Sequence, residues 1–464
     1  MNEIKTKETG KLIIQAIKFK QEGNLIKAES YLKKTLKLEP DNFIALNNIG
    51  NIFYLRNNIE KAKIFFSKAI DIKNDYSNAI FNLALVNEEI GNKSEAIRLY
   101  KNAIKYDPNN LSFFYNLSRI DETFFIDSNI HKIKNILENK KNSSFNKASG
   151  FFILAQFERN KENLQKEFQY LFEAHKYFHA SNEKKNNQIS FYWIKLMPKI
   201  IEKFNFSSEK KILKKIKPIF IMGLPRSGST LIESILCSGK KTIPNGGETA
   251  IINRVFVDLN KKFFSNNLFL DNCEKLQINE NLFVEKVIHQ YKLLNLLDKK
   301  KNNIFTDKSL ENFFYIELII KFFPDSKIII CKRNIFKIIL SIYQNFLPKI
   351  NWSHSIINIL EYIDNYLKII DTFKKKYPNK IYIIELEELT NNPIKLSKNL
   401  FSFCNLEWDK KCLEFYKRDD LVSKTASNQQ IRNKIFNNNS KKYKAYKEFF
   451  TPYLNKYDWL KDVL

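Results

Sequence analysis

Apolar positions recur every three to four residues from about Leu12 to Phe204, the spacing of helices that each bury one face. Beyond Pro218 the pattern changes. Short apolar runs at 219–222, 304–306, 327–331 and 381–386 alternate with helical stretches, which predicts strands of a parallel sheet covered by helices. The chain therefore reads as an all-α first half joined to an α/β second half.

The helical half repeats itself. Gly23-Asn24, Asn57-Asn58 and Gly91-Asn92 stand 34 residues apart, as do Ala28, Ala62 and Ala96, and Thr35, Ala69 and Ala103. Paired helices with a turn between them and small residues at their closest approach are tetratricopeptide repeats at this period. About three occupy 1–110. The register decays over 111–217, which reads as degenerate repeat-like helices ending in a basic linker, EKKILKKIK. Stacked repeats form a curved solenoid whose concave face suits a peptide or protein, or supports a homodimer. His175 and His179 lie one helical turn apart, but no further ligand accompanies them, and they read as an ordinary helix pair rather than a metal site.

The α/β domain, 218–464, opens with PIFIMGLPRSGST at 218–230: strand, tight glycine turn, helix. Gly223, four residues, Gly228, then Ser229 and Thr230 is the spacing of a P-loop, in which backbone N–H groups close on a phosphate. A Walker loop has Lys where this chain has Ser229, and its basic side chain comes earlier, at Arg226. An anionic ligand is expected, and a metal-bound nucleoside triphosphate is disfavoured. Ligands of such sheets bind at the C-terminal strand ends. Those ends carry Arg226 to Thr230, then Asp307 and Lys308, then Lys332 and Arg333, which fits a ligand with more than one phosphate. Ser341, about two helical turns beyond Arg333, can face back towards it.

Composition narrows the classes. The 464 residues carry a formal net charge of +27, yet the charge is spread along the chain, and no basic, aromatic-interleaved stripe marks a nucleic-acid face. Five scattered cysteines without a CxxC pair read as reduced thiols. With no signal-peptide pattern and no membrane-length apolar run, a soluble cytoplasmic protein is expected.

Taken together, PIFIMGLPRSGSTLIESIL, GGE at 246–248, TDKSLENFFYIELIIKFFPDSKIIICKRN and TASNQQIR at 425–432 resemble sulfotransferases that use 3′-phosphoadenosine 5′-phosphosulfate (PAPS). More narrowly, the chain is similar to bacterial tetratricopeptide-repeat sulfotransferases, relatives of the tyrosylprotein sulfotransferases. The resemblance implies PAPS as co-substrate, adenosine 3′,5′-bisphosphate as product and no metal. It implies that Arg226, Ser227, Gly228, Ser229 and Thr230 surround the 5′-phosphosulfate, and that Arg333 and Ser341 hold the 3′-phosphate. Ser427, Arg432 and Lys442 would belong to the C-terminal cofactor-binding stretch. Glu248 would be the catalytic base, with Arg226, Lys308 and Ser427 stabilising the transferring group.

Three positions depart from the tyrosylprotein pattern: Asn345 replaces an arginine, Leu386 an aromatic and Leu310 a proline. They bear on the adenine pocket and on the acceptor, which the sequence leaves open among tyrosine, sugar, lipid and metabolite. The alternative to an enzyme is an interaction scaffold whose α/β domain binds a nucleotide without turnover.

Overall fold

Gly23, Asn57 and Gly91, at the 34-residue period, share one backbone conformation, with φ of 77°, 60° and 88°. This left-handed turn stops one helix and starts the next, and Asn is the residue that best replaces Gly there. The computed structural model describes residues 2–203, 216–265, 278–297, 303–418, 420, 431–435 and 442–464. It divides into two compact units, Met1–Phe157 and Glu158–Leu464.

In the first unit, α1 (Asn2–Gln21), α2 (Leu25–Leu38), α3 (Phe43–Leu55), α4 (Ile59–Ile72), α5 (Ser77–Glu89), α6 (Lys93–Tyr106) and α7 (Leu111–Ile120) form the repeat array. Asn24, Asn42 and Asn58 cap α2, α3 and α4, each side chain accepting from the backbone N–H three residues on. Ala28, Ala62, Ala96, Thr35, Ala69 and Ala103 are all fully buried, as close helix approach requires. Gly50 shows how close. A Cβ there would lie 2.6 Å from the Phe66 ring. Two further helices follow, α8 (Asp127–Glu138) and α9 (Ser144–Asn160).

The second unit begins with the end of α9 and includes α10 (Leu164–Ser181). Its strands are β1 (Lys217–Gly223), β2 (Ile304–Asp307), β3 (Lys327–Lys332) and β4 (Ile381–Glu385), all parallel in the order β2-β1-β3-β4. The α-solenoid and the parallel-sheet α/β domain expected from the sequence are both present. The central strands β1 and β3 have continuous apolar cores because both sheet faces are covered there. The chain leaves β1 for one sheet edge and later crosses to β3 on the other side. That reversal opens a crevice beyond the C-terminal ends of β1 and β3, where α/β sheets bind ligands.

No described helix is long and apolar enough to cross a membrane, and no described group of His, Cys, Asp and Glu could hold a metal ion. His175 and His179 part company. His179 bonds Asn187, whereas His175 is buried and its Nδ1 lies 2.9 Å from that of His354.

Candidate active site

The turn after β1 is held in a conformation that few residues tolerate. Arg226 has φ 70° and Gly228 has φ 92°, and Ser227 N–H donates to Leu224 O at 3.2 Å. Gly228 is the N-cap of α11 (Ser229–Cys237), and a Cβ on it would meet Leu386 Cδ1 at 2.7 Å. Leu386 therefore packs on the loop itself. Ser229 and Thr230 begin α11 and are buried. Ser227 is fully buried too, and its hydroxyl has no hydrogen-bond partner among the described residues. Leaving such a group unpaired costs about 1–3 kcal/mol.

Across the crevice, β3 leads into α12 (Ile335–Tyr343). Arg226 Nε donates to Ser341 Oγ at 2.9 Å, and Arg333 Nη1 donates to the Arg226 carbonyl at 2.9 Å. Arg226, Arg333 and Ser341, 115 residues apart at the extremes, thus form one basic cluster at the β1/β3 reversal. Burial pulls the Arg333 guanidinium below its usual range, partly offset by Glu387. A half-dehydrated cation of this kind gains most from an anion. Asn345, one turn past Ser341, donates to the Ser341 carbonyl at 2.7 Å and so closes the helix end.

On the other side of β1, a carboxylate and an ammonium meet. Lys308 Nζ, buried at the end of β2, donates to Glu248 Oε1 at 3.1 Å and lies 4.0 Å from Glu233 Oε2. Burial opposes the Lys308 charge, but Glu248 and Glu233 together outweigh it and raise its pKa. Glu248 keeps a side chain 48% exposed. Its loop is fixed by backbone. A Cβ on Gly246 would sit 1.9 Å from the Thr306 carbonyl, and Gly247 has φ 61°, so both positions require glycine. Gly247 N–H donates to Glu233 Oε1 at 3.0 Å, and Lys308 N–H donates to Gly247 O at 2.9 Å. The Thr249 and Tyr291 hydroxyls both donate to Asp307 Oδ2, at 2.8 and 2.6 Å.

Two carboxyls escaped the sequence reading. Glu233 lies on the α11 face that reads as apolar from Leu231 to Leu236, and burial raises its pKa against the pull of Lys308. A charge inside an apolar helix face was the available signal. Glu311, in the 3₁₀ turn Leu310–Tyr315, is half-buried, and burial pushes its carboxyl up to about 7, with its own backbone N–H pulling down and Glu248 pushing further up. The fold holds a proton on Glu311 that the unfolded chain releases. Stability should therefore fall as pH rises from the ordinary 4.5 to about 7, by roughly 3 kcal/mol at 1.36 kcal/mol per pKa unit. Glu311→Gln should flatten that slope in thermal melts at pH 5 and 7.5, and an unchanged slope would show that another group sets it.

Three expected residues of the C-terminal stretch remain. Arg432 donates to the Arg418 carbonyl at 3.1 Å, and Arg418 in turn donates to the Cys237 carbonyl at the end of α11. Ser427 and the Lys442 side chain lie outside the described residues.

Residues 218–410 match the model of the sulfotransferase family, and residues 44–76 and 77–110 match that of the tetratricopeptide repeat. An uncharacterized protein of Aquifex aeolicus (strain VF5) is 28% identical over 347 residues, 70% of this chain and 43% of that protein. This chain thus spans under half of that relative's length. Among solved structures, the sulfotransferase domain from the Synechococcus PCC 7002 olefin synthase is 19% identical, covering 50% of this chain and 88% of that one, with a TM-score of 0.34. The sulfotransferase domain from the curacin biosynthetic pathway is 16% identical, covering 48% and 85%, with a TM-score of 0.30. MamA is 20% identical, covering 37% of this chain and 96% of its own, with a TM-score of 0.28.

Proposed function

The chain carries a sulfotransferase-family domain behind tetratricopeptide repeats, and from that premise we propose that the domain moves a sulfuryl group from PAPS to an acceptor hydroxyl. The observation that carries this reading is the cluster of Arg226, Ser341 and Arg333 beside a glycine loop with an unpaired buried hydroxyl. Two phosphate-sized anions would find cradles there, one in the loop 226–230 at the start of α11 and one at Arg333 and Ser341, both of which bond Arg226. When bound, PAPS supplies the sulfuryl group on a good leaving group, adenosine 3′,5′-bisphosphate.

The chain's own residues do the rest. Glu248 takes the acceptor proton, and its exposure leaves room for the donor to approach. Lys308, held charged between Glu248 and Glu233, supports negative charge on the transferring group without a metal. Arg226 supports the leaving phosphate as a fixed cation does in phosphoryl transfer. A phenol, with a pKa of about 10, gives up its proton far more readily than an alkyl alcohol, so a peptide or protein tyrosine is the first acceptor to offer. The repeats, which suit protein interaction, would present it or a partner.

Arg333→Ala is expected to weaken adenosine 3′,5′-bisphosphate binding by about 1.5–3 kcal/mol, the worth of a charge-assisted hydrogen bond. Calorimetry showing unchanged affinity would remove Arg333 from the site.

A further inference from the structure

Helix α10 precedes the sheet by more than thirty residues, yet two of its polar side chains, Glu167 and His175, together with Arg159 at the end of α9, reach the end of α12. The last carbonyls of any helix lack partners within it. At α12, two of them are capped from outside. His175 Nε2 lies 2.9 Å from the Tyr343 carbonyl, and Arg159 Nη2 donates to the Gln344 carbonyl at 3.2 Å. Between these contacts sits Glu167, fully buried, which accepts from Arg159 Nε at 2.6 Å and from the Gln344 amide at 2.9 Å through one oxygen. Its other oxygen accepts from the Tyr446 hydroxyl at 2.7 Å. The neighbouring Phe168 stacks on Phe449 at 3.9 Å, so α10 grips the C-terminal 3₁₀ segment, Lys442–Tyr453, as well.

A carboxylate with no solvent exposure is tolerated only where its donors are fixed. An apolar residue would fill this position and pack α10 against α12 more simply. What the carboxylate adds is register, because it ties three separate chain segments to one point: residue 159, the end of α12 at Gln344, and Tyr446. Ser341 lies two residues before Tyr343, in the last turn of α12, and its hydroxyl accepts from Arg226.

We propose that Glu167 is a positioning residue for the 3′-phosphate cradle, setting Ser341 at the distance from Arg333 that selects a nucleotide with a 3′-phosphate. This rests on the reading of Arg333 and Ser341 given above. Selectivity, rather than overall affinity, is the property at stake, since the loop at 226–230 is anchored separately by β1 and α11.

The test measures the affinities of the full-length chain for adenosine 3′,5′-bisphosphate and for adenosine 5′-monophosphate by calorimetry. Wild type, Glu167→Gln and Tyr446→Phe are compared, the last removing a single hydroxyl in case the first fails to fold. Each folded variant should lose about ten-fold in the bisphosphate to monophosphate ratio, one hydrogen-bonded contact's worth of misplacement, with monophosphate binding within about two-fold of wild type. A wild-type preference retained in the folded variants would overturn the positioning role alone, as would equal weakening of both ligands, the mark of general loosening. A wild type without preference would overturn the cradle itself and the positioning role with it.

Discussion

Glu248→Gln is expected to slow sulfuryl transfer by about 10²–10⁴-fold, the range for losing a placed general base. Adenosine 3′,5′-bisphosphate should still bind within about two-fold, because Glu248 is tied to Lys308 at the end of β2, whereas Arg333 and Ser341 follow β3 on the opposite side of β1. The fold should survive. Glu248 is half exposed, its loop is pinned by Gly246 and Gly247 backbone contacts, and Lys308 keeps Glu233 as a partner. Single-turnover kinetics with a tyrosine peptide would measure the loss. A variant with unimpaired turnover would move the base elsewhere, with Glu311 the next carboxyl to examine.

Lys308→Met has two expected consequences, and the larger is on stability. Removing the buried ammonium leaves Glu233 buried beside Glu248 with no opposite charge, which costs about 3–5 kcal/mol at neutral pH. Burial already raises the Glu233 pKa. Taking up a proton would relieve part of the cost, so the deficit in urea unfolding should be smaller at pH 5 than at pH 7. Folded material should retain bisphosphate binding but lose about 10²–10³-fold in transfer, the scale for one preorganised electrostatic group. A fully stable variant would mean that Glu233 finds its compensation in Thr306 and Gly247 alone.

Much of this architecture is legible in the residue order, for reasons that differ by region. Repeat helices announce themselves because Gly23, Asn57 and Gly91 must adopt the same left-handed turn and Ala28, Ala62 and Ala96 the same close approach. The central strands β1 and β3 are legible because a strand buried on both faces is a continuous apolar run, and β2 and β4 because their short apolar runs stand between helical stretches. The convergence of Arg226, Arg333 and Ser341 follows from strand ends meeting on one edge, a property of parallel sheets rather than of any side chain.

What is not legible is which polar residues the fold buries. His175 reads as one of a partly exposed helix pair with His179, yet it is buried against Tyr343 and against His354, 179 residues away. Glu167 looks like any helix-surface carboxylate until Gln344 and Tyr446, distant in sequence, close over it. Leu386 stands where an aromatic was expected, and its role is to pack on Gly228, a contact made across two strands. Helical periodicity reports the face of a helix that is apolar and says nothing of a polar side chain that a remote loop will cover.

Titration calorimetry of the full-length chain with adenosine 3′,5′-bisphosphate, beside ATP with Mg²⁺, bears on the sulfotransferase reading most directly. Metal-independent binding of the bisphosphate, with ATP much weaker, is the expected result. Preferential binding of ATP with Mg²⁺ would contradict it in favour of phosphoryl transfer, and binding of neither would leave the repeats as the working half of an interaction scaffold.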